Sequence, residues 1–272
     1  MKNFKDRQFL LENPDLVRID VRYDMHRPEY GPEAYALCHL KNAAFLHMDR
    51  DLAAPAKAHG GRHPLPDLHM IQEKLRSIGL SDHSRVIIYD DGDNNAAGRL
   101  WWMLKYYGLQ DVYVLEGGFS ALLEEDLTSA QSEFSRGDIT LNPQETMTAS
   151  YEEVLAYAQG DIPQDQVLID SRSAERWRGE VEPVDPVAGH IPHTRNVFFR
   201  QHFDGQNRLL PLEQVKSHFG DLLEKEIILH CGSGVTACTN TMVLDELGKP
   251  SRLYVGSYSD YVSYPENTVV KE

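Results

Sequence analysis

The sequence predicts an α/β protein made of two similar domains, each with a mostly parallel sheet flanked by helices. Two observations carry this prediction. Short apolar runs of strand length alternate with longer runs of helical periodicity, which is typical of parallel strands joined by helices. The order of these runs in the first half of the chain recurs in the second half. At 272 residues, the chain has room for two domains of ordinary size.

The first half contains three predicted strands and two predicted helices. The strand runs are 16–21, 86–89 and 112–115, the helical runs are 67–78 and 96–107, and a further short apolar run lies at 43–46. Gly79 and Gly108 follow the helical runs, and glycine is a frequent helix terminator. The polar, proline-containing segment 49–67 is predicted to be a loop, and loops of this length often have a function.

The second half repeats this plan. Residues 167–170 correspond to 17–20, and 227–230 correspond to 86–89. This correspondence places Cys231 at the position that Asp90 occupies in the first half, so only the second copy can carry out thiol chemistry there. We expect an inactive first domain at 1–130, a polar linker at 131–148 and a catalytic domain at 149–272.

The strongest candidate site is the sequence CGSGVT at 231–236, between an apolar strand run and the helical run 237–247. In such a loop the backbone N–H groups can converge on one point, and the helix dipole adds positive potential there. A cysteine at that point is expected to react as the thiolate. The alternative interpretation is a buried cysteine that packs in the core before a glycine-rich turn.

Composition and charge exclude several classes of protein. The net charge of −15 disfavours nucleic acid and anionic membrane surfaces as partners, and no apolar run has the length of a membrane span. The three cysteines are too few for a disulfide framework, which favours a reducing compartment. With no signal-peptide pattern at the N-terminus, we expect a cytoplasmic protein. The acidic run 90–93 lacks the ligand spacing of a calcium loop, and we expect no metal.

Several motifs resemble the tandem-domain rhodanese family of sulfurtransferases, and the resemblance extends over nearly the whole chain. The motifs in the second half are CGSGVTA at 231–237, GHIP at 189–192, DSRSAERWRG at 170–179 and GSYS at 256–259. Those in the first half are GRLWW at 98–102 and EGGF at 116–119. The resemblance implies two rhodanese-like domains, of which the first is inactive. It also implies sulfur transfer through a persulfide on Cys231, without a cofactor.

The resemblance implies roles for individual residues. Cys231 is the nucleophile, and a relay of Ser233, His63 and Asp49 supplies the proton that the leaving group needs. The residues expected to bind the donor are Arg176, Gly232, Gly234, Val235 and Thr236. The family usually has a second arginine after a Glu-Pro pair, where this chain has Val184. Carboxylate binding is therefore expected to depend on Arg176 alone or on another residue such as Arg195.

The neutral residues Gly232 and Ser233 favour 3-mercaptopyruvate as the sulfur donor, because thiosulfate enzymes of the family tend to carry basic residues there. Cyanide, a small thiol or thioredoxin is expected to accept the sulfur. Thiosulfate:cyanide sulfur transfer through the same persulfide is the alternative. A persulfide carrier is a further alternative. A cysteine-dependent phosphatase is another, but its arginine six residues after the cysteine is replaced here by Ala237.

Overall fold

The computed structural model describes residues 1–272 and divides them into two compact units. The first unit contains Met1–Ala54, Leu65–Gln144 and Gly205–Leu209, and the second contains Pro55–Pro64, Glu145–Asp204 and Leu210–Glu272. Each unit therefore includes a short segment from the other half of the chain. The predicted first domain at 1–130 differs from this division, since Pro55–Pro64 belongs to the second unit. No helix has both the length and the hydropathy that crossing a membrane requires.

The first unit contains the strands β1 (Phe4–Lys5), β2 (Val17–Asp20), β3 (His39–Leu40), β4 (Ala43–Phe45), β5 (Val86–Tyr89), β6 (Val112–Leu115) and β7 (Leu127–Thr128). Five of them form a parallel sheet in the order β1-β6-β5-β2-β4, and β3 pairs with β7 in a separate antiparallel ribbon. Its helices are α1 (Arg7–Glu12), α2 (Tyr30–Leu37), α3 (Met48–Asp51), α4 (Leu68–Ser77) and α5 (Asn95–Tyr106). One expectation was wrong in part: the predicted loop 49–67 begins with residues of helix α3.

The second unit contains the strands β8 (Gln166–Asp170), β9 (Arg195–Asn196), β10 (Glu226–His230) and β11 (Ser251–Leu253). They form a four-stranded parallel sheet in the order β11-β10-β8-β9. Its helices are α6 (Tyr151–Ala158), α7 (Ala174–Arg178), α8 (Leu212–Phe219), α9 (Thr236–Glu246) and α10 (Ser257–Tyr261). The central pairs β2–β5 and β8–β10 are equivalent, and the predicted α/β fold with mostly parallel sheets is confirmed.

Each unit contains an ion pair of the same kind, at the end of β2 in the first unit and at the end of β8 in the second. In the first, Arg22 Nη2 lies 2.7 Å from Asp20 Oδ2, and in the second, Arg172 Nη2 lies 2.7 Å from Asp170 Oδ2. All four side chains are almost fully buried. Burial acts to raise the pKa of Asp170, but the charges of Arg172 and His230 and the hydrogen bonds from Arg172 together outweigh it and bring that pKa down to about 2. The pair thus fixes the start of the segment that follows each strand.

The predicted linker is packed against the first unit over most of its length. Residues 129–144 form neither helix nor strand. Their apolar side chains Ile139 and Leu141 are buried, and the Ile139 amide donates a 3.1 Å hydrogen bond to the Leu80 carbonyl. Hydrogen bonding and apolar burial therefore hold this segment in place although it has no regular structure.

Candidate active site

The loop that carries Cys231 connects β10 to α9. Strand β10 is apolar and buried from Ile227 to Leu229, which places Cys231 at the carboxyl end of a central parallel strand. The Cys231 side chain is buried. Gly234 has a φ of 74°, a left-handed conformation that glycine adopts without strain, and α9 begins two residues later. The cysteine therefore lies beside the N-terminus of an 11-residue helix.

Three backbone amides in the Cys231 loop have no acceptor, whereas three amides in the corresponding loop of the first unit donate to one carboxyl group. In the first unit, the Asp90 carboxyl group accepts hydrogen bonds from three amides, those of Gly92, Asn94 and Ala97, at 2.8, 3.3 and 3.1 Å. In the second unit, the amides of Gly232, Ser233 and Val235 have no acceptor in the protein. These three donors are available to a bound anion or to a negatively charged sulfur.

The turn at the start of α10 holds the Cys231 loop in place. The amide of Tyr258 donates to the Cys231 carbonyl at 2.9 Å, and the amide of Ser259 donates to the Gly232 carbonyl at 2.8 Å. The Ser257 hydroxyl accepts a 3.2 Å hydrogen bond from the Cys231 amide. These three hydrogen bonds hold the backbone of Cys231 and Gly232 against the start of α10.

His63 and Ser233 are brought together as the relay hypothesis requires. His63 belongs to the segment Pro55–Pro64 of the second unit, and its Nδ1 lies 2.7 Å from the Ser233 hydroxyl. Asp49 lies in the first unit on α3, where the Tyr23 hydroxyl is 3.3 Å from its carboxylate. The place of Asp49 in the relay remains a prediction.

Arg176 lies in the last turn of α7 and is half-buried. Its Nη2 lies 2.7 Å from Glu182 Oε1 and 3.0 Å from Asp185 Oδ2, so two carboxylates fix the guanidinium. Burial acts to raise the pKa of Glu182, but the hydrogen bonds from Arg176 and from two backbone amides outweigh it and lower that pKa. A Cβ atom placed on Gly232 would lie 3.7 Å from Arg176 Nη1. The predicted donor-binding arginine therefore faces the loop next to the cysteine.

Two charged residues at the site were not predicted from the sequence. The Arg62 guanidinium pairs with the Asp185 carboxylate, which is fully buried. Burial raises the pKa of Asp185, although the nearby Arg62 charge acts against this rise. The signal available in the sequence was that Arg62 directly precedes His63.

The remaining predicted residues lie in the loop or away from it. Val235 and Thr236 are partly exposed at the start of α9. Val184 is half-buried, and its amide donates to Glu182 at 3.0 Å. Arg195 is exposed on β9, where it lines an open cavity of about 620 Å³ with Trp177 and other residues.

No group of three or more His, Cys, Asp or Glu side chains is arranged to hold a metal ion.

Together, these features define a class of protein, namely a duplicated α/β protein with one thiol at a helix N-terminus. The Rhodanese-like domain family matches residues 7–125 and 152–264. Because the two matches cover most of the chain, this protein belongs to the rhodanese-like domain family.

Relatives and solved structures of known name agree with this membership. A Pseudomonas aeruginosa protein named "Probable 3-mercaptopyruvate sulfurtransferase" is 39% identical over 95% of this chain and 93% of its own length. A Mycobacterium tuberculosis protein whose name refers to thiosulfate sulfurtransferase is 32% identical over 92% of this chain and 89% of its own length. A crystal structure of a 3-mercaptopyruvate sulfotransferase from Escherichia coli superimposes with a TM-score of 0.82 at 26% identity, covering 95% of this chain and all of that one.

Proposed function

We propose that this protein is a sulfurtransferase that moves sulfur from 3-mercaptopyruvate to a thiophilic acceptor through a persulfide on Cys231. The observation that carries the proposal is the set of unpaired amides at Gly232, Ser233 and Val235 beside a thiol at a helix N-terminus. In the first unit, the amides of Gly92 and Asn94, which correspond to those of Ser233 and Val235, donate to Asp90 instead. An arrangement of donors with no internal acceptor suits a site in which negative charge is held on sulfur.

In the first half-reaction, the Cys231 thiolate attacks the sulfur of 3-mercaptopyruvate. A sulfur–sulfur bond forms and the carbon–sulfur bond breaks, with its electron pair going to the methylene carbon of the pyruvate enolate. The proton released by the donor thiol ends on that carbon, which gives pyruvate and a deprotonated Cys231 persulfide. The free loop amides stabilise the terminal sulfur of the persulfide in the manner of an oxyanion hole.

The hydrogen bond between Ser233 and His63 provides a route for this proton. Their 2.7 Å separation is short enough for transfer between the hydroxyl and the ring nitrogen. Asp49 is proposed to orient the imidazole, as the resemblance implies. Only a donor that leaves as a carbanion equivalent needs such a proton, so the pair favours 3-mercaptopyruvate over thiosulfate.

In the second half-reaction, an acceptor attacks the outer sulfur of the persulfide and restores the thiolate. Cyanide leaves as thiocyanate, and a small thiol or thioredoxin leaves as a persulfide that a second thiol can reduce. The expected kinetics are ping-pong, because the first product departs before the acceptor reacts. We propose that this exchange takes place in the cytoplasm.

Thiosulfate is the second candidate donor, supported by the name of the Mycobacterium tuberculosis relative. The same thiolate attacks its outer sulfur, and sulfite leaves with the electron pair of the broken sulfur–sulfur bond. This reaction requires no proton at the leaving group. It therefore makes no use of the Ser233 hydroxyl and His63, which is the physical difference between the two donors.

Steady-state kinetics with each donor, in the wild type and in Cys231→Ser, test the proposal. We expect turnover of 3-mercaptopyruvate by the wild type with parallel double-reciprocal lines, and none by Cys231→Ser. Turnover of either donor by Cys231→Ser at the wild-type rate would contradict the mechanism. Turnover of thiosulfate alone by the wild type would assign the second donor instead.

A further inference from the structure

We propose that Arg62 supplies the second guanidinium that binds the donor carboxylate, in place of the arginine missing at Val184. The inference deepens the proposed function and rests on it for the identity of the donor. It concerns a residue far from Val184 in sequence, delivered to the second unit by the segment Pro55–Pro64.

The first argument is the geometry around Gly232. A Cβ atom placed on this residue would lie 3.0 Å from Arg62 Nη2 and 3.7 Å from Arg176 Nη1. Two guanidinium groups therefore face the same point of the loop, one residue from Cys231. Gly232 has no side chain, so none occupies the point that the two guanidinium groups approach.

The second argument is the pattern of hydrogen bonds that each arginine has already made. Arg62 Nη1 is bound to Asp185, whereas its Nε and Nη2 have no partner in the protein. Arg176 uses Nε and Nη2 on Glu182 and Asp185, and its Nη1 has no partner. Of the three nitrogens near Gly232, Arg176 Nη2 is bound, whereas Arg62 Nη2 and Arg176 Nη1 have no partner. Two such donors match the two oxygens of a carboxylate.

The third argument is the position of Asp185 between the two arginines. One carboxylate oxygen pairs with Arg62, and the other lies 3.0 Å from Arg176 Nη2. Asp185 follows Val184 directly, so the position at which the family has an arginine is adjacent to the acid that holds Arg62. The chain has no arginine at position 184, but the adjacent Asp185 holds the guanidinium of Arg62.

The segment that carries Arg62 is anchored to the second unit by its backbone. The Gly60 amide donates to Asp260 at 2.7 Å, and the Arg62 amide donates to the Ser259 hydroxyl at 3.1 Å. Ser259 in turn binds the Gly232 carbonyl through its amide. The backbone of the segment and the Cys231 loop are thus both bound to residues 259–260 of α10.

The test compares Arg62→Gln and Arg62→Lys with the wild type, using Arg178→Gln as the matched control. Arg178 lies on α7, two residues after Arg176, and its side chain pairs only with Glu180. Loss of a hydrogen bond to a charged group predicts a rise in KM for 3-mercaptopyruvate of about 10- to 100-fold in Arg62→Gln. We expect a smaller rise in Arg62→Lys, which keeps the charge but not the planar fork. Arg178→Gln should match the wild type.

A second readout does not depend on sulfur transfer. Alkylation of Cys231 by iodoacetate, which carries a carboxylate, is compared with alkylation by neutral iodoacetamide. We expect the ratio of the two rates to fall about tenfold in Arg62→Gln and to stay unchanged in Arg178→Gln. An unchanged ratio together with an unchanged KM in Arg62→Gln overturns the assignment of Arg62. Failure of the wild type to acquire sulfur from 3-mercaptopyruvate, with the ratio still dependent on Arg62, overturns the proposed donor and leaves the anion site standing.

Discussion

Substituting Gly61 tests whether the segment Pro55–Pro64 must lie against the second unit for catalysis. Gly61 has a φ of 81°, and a Cβ atom added there would collide with the carbonyl oxygen of Gly256 and lie 3.1 Å from its carbonyl carbon. Carbon atoms prefer separations of about 3.5 to 4.0 Å, so the segment must move by about 1 Å in Gly61→Ala. That movement displaces both Arg62 and His63 from the Cys231 loop.

The size of the effect follows from the need for precise placement. A displacement of about 1 Å at a reacting or binding group costs about 100-fold in rate. We therefore expect kcat/KM for 3-mercaptopyruvate to fall about 100-fold in Gly61→Ala, which corresponds to about 2.7 kcal/mol of transition-state stabilisation.

Gly60→Ala is the matched control. Gly60 has a φ of 99°, but a Cβ atom there meets nothing within 4 Å. Both variants carry the backbone cost of a left-handed alanine, about 1 to 2 kcal/mol, and only Gly61→Ala adds the collision. The assay is kcat/KM with each donor, together with urea unfolding of both variants. Wild-type kcat/KM in Gly61→Ala, or equal losses in both variants, would refute the reasoning.

Three further predictions concern the relay, a buried histidine and the inactive loop. Ser233→Ala should lose at least 100-fold in kcat with 3-mercaptopyruvate while keeping thiosulfate turnover, because general acid catalysis contributes about 10²- to 10⁴-fold; equal losses with both donors would argue against the relay. Burial of His202, assisted by the nearby His218, lowers its pKa from 6.5 to about 3. The His202 imidazole therefore binds a proton more tightly in the unfolded chain than in the folded protein. The free energy of unfolding falls as the pH drops below about 6.5, by about 2 kcal/mol at pH 5. His202→Gln should remove this part of the pH dependence of the melting temperature, and an unchanged slope between pH 7 and 5 would disprove it. Asp90→Ala leaves three amides without their acceptor and should lower the free energy of unfolding by about 2 to 4 kcal/mol in urea, with a smaller loss in Asp90→Asn.

The strands at the centre of each sheet could be predicted closely from the sequence. Strand β5 coincides with the predicted run 86–89, and β10 begins one residue before the predicted run 227–230. Fully buried parallel strands need a continuous apolar run, and polar residues or glycine mark both ends. The boundaries of these strands could be predicted because each apolar run and the polar residues or glycine that end it are adjacent in sequence.

The candidate site was only partly predictable. The Cys231 loop has a local signal, since strand, small residues and helix follow one another. The pairing of Ser233 with His63 came from the resemblance to a family, because the two residues are 170 positions apart. The ion pair between Arg62 and Asp185 joins residues 123 positions apart and was missed. Neither residue has a pattern around it that indicates the other, so only the folded chain reveals the contact.

The packing of the predicted linker is another feature that could not be predicted from the local sequence. Residues 131–148 are polar and lack helical periodicity, which indicated a linker. The structure buries Ile139 and Leu141 from this segment. Isolated apolar residues in irregular backbone carry no periodic signal, so their burial depends on a surface that the local sequence does not describe.

The most direct test of a sulfur carried on Cys231 is mass spectrometry of the intact protein after incubation with 3-mercaptopyruvate alone. We expect the wild type to gain the mass of one sulfur atom, located on the peptide that contains Cys231, and to lose it on addition of cyanide. Cys231→Ser should gain nothing, while Cys238→Ser, which changes the buried cysteine of α9, should behave as the wild type. An unmodified wild-type protein that nevertheless turns over the donor, or a sulfur found on another cysteine, would contradict a persulfide on Cys231.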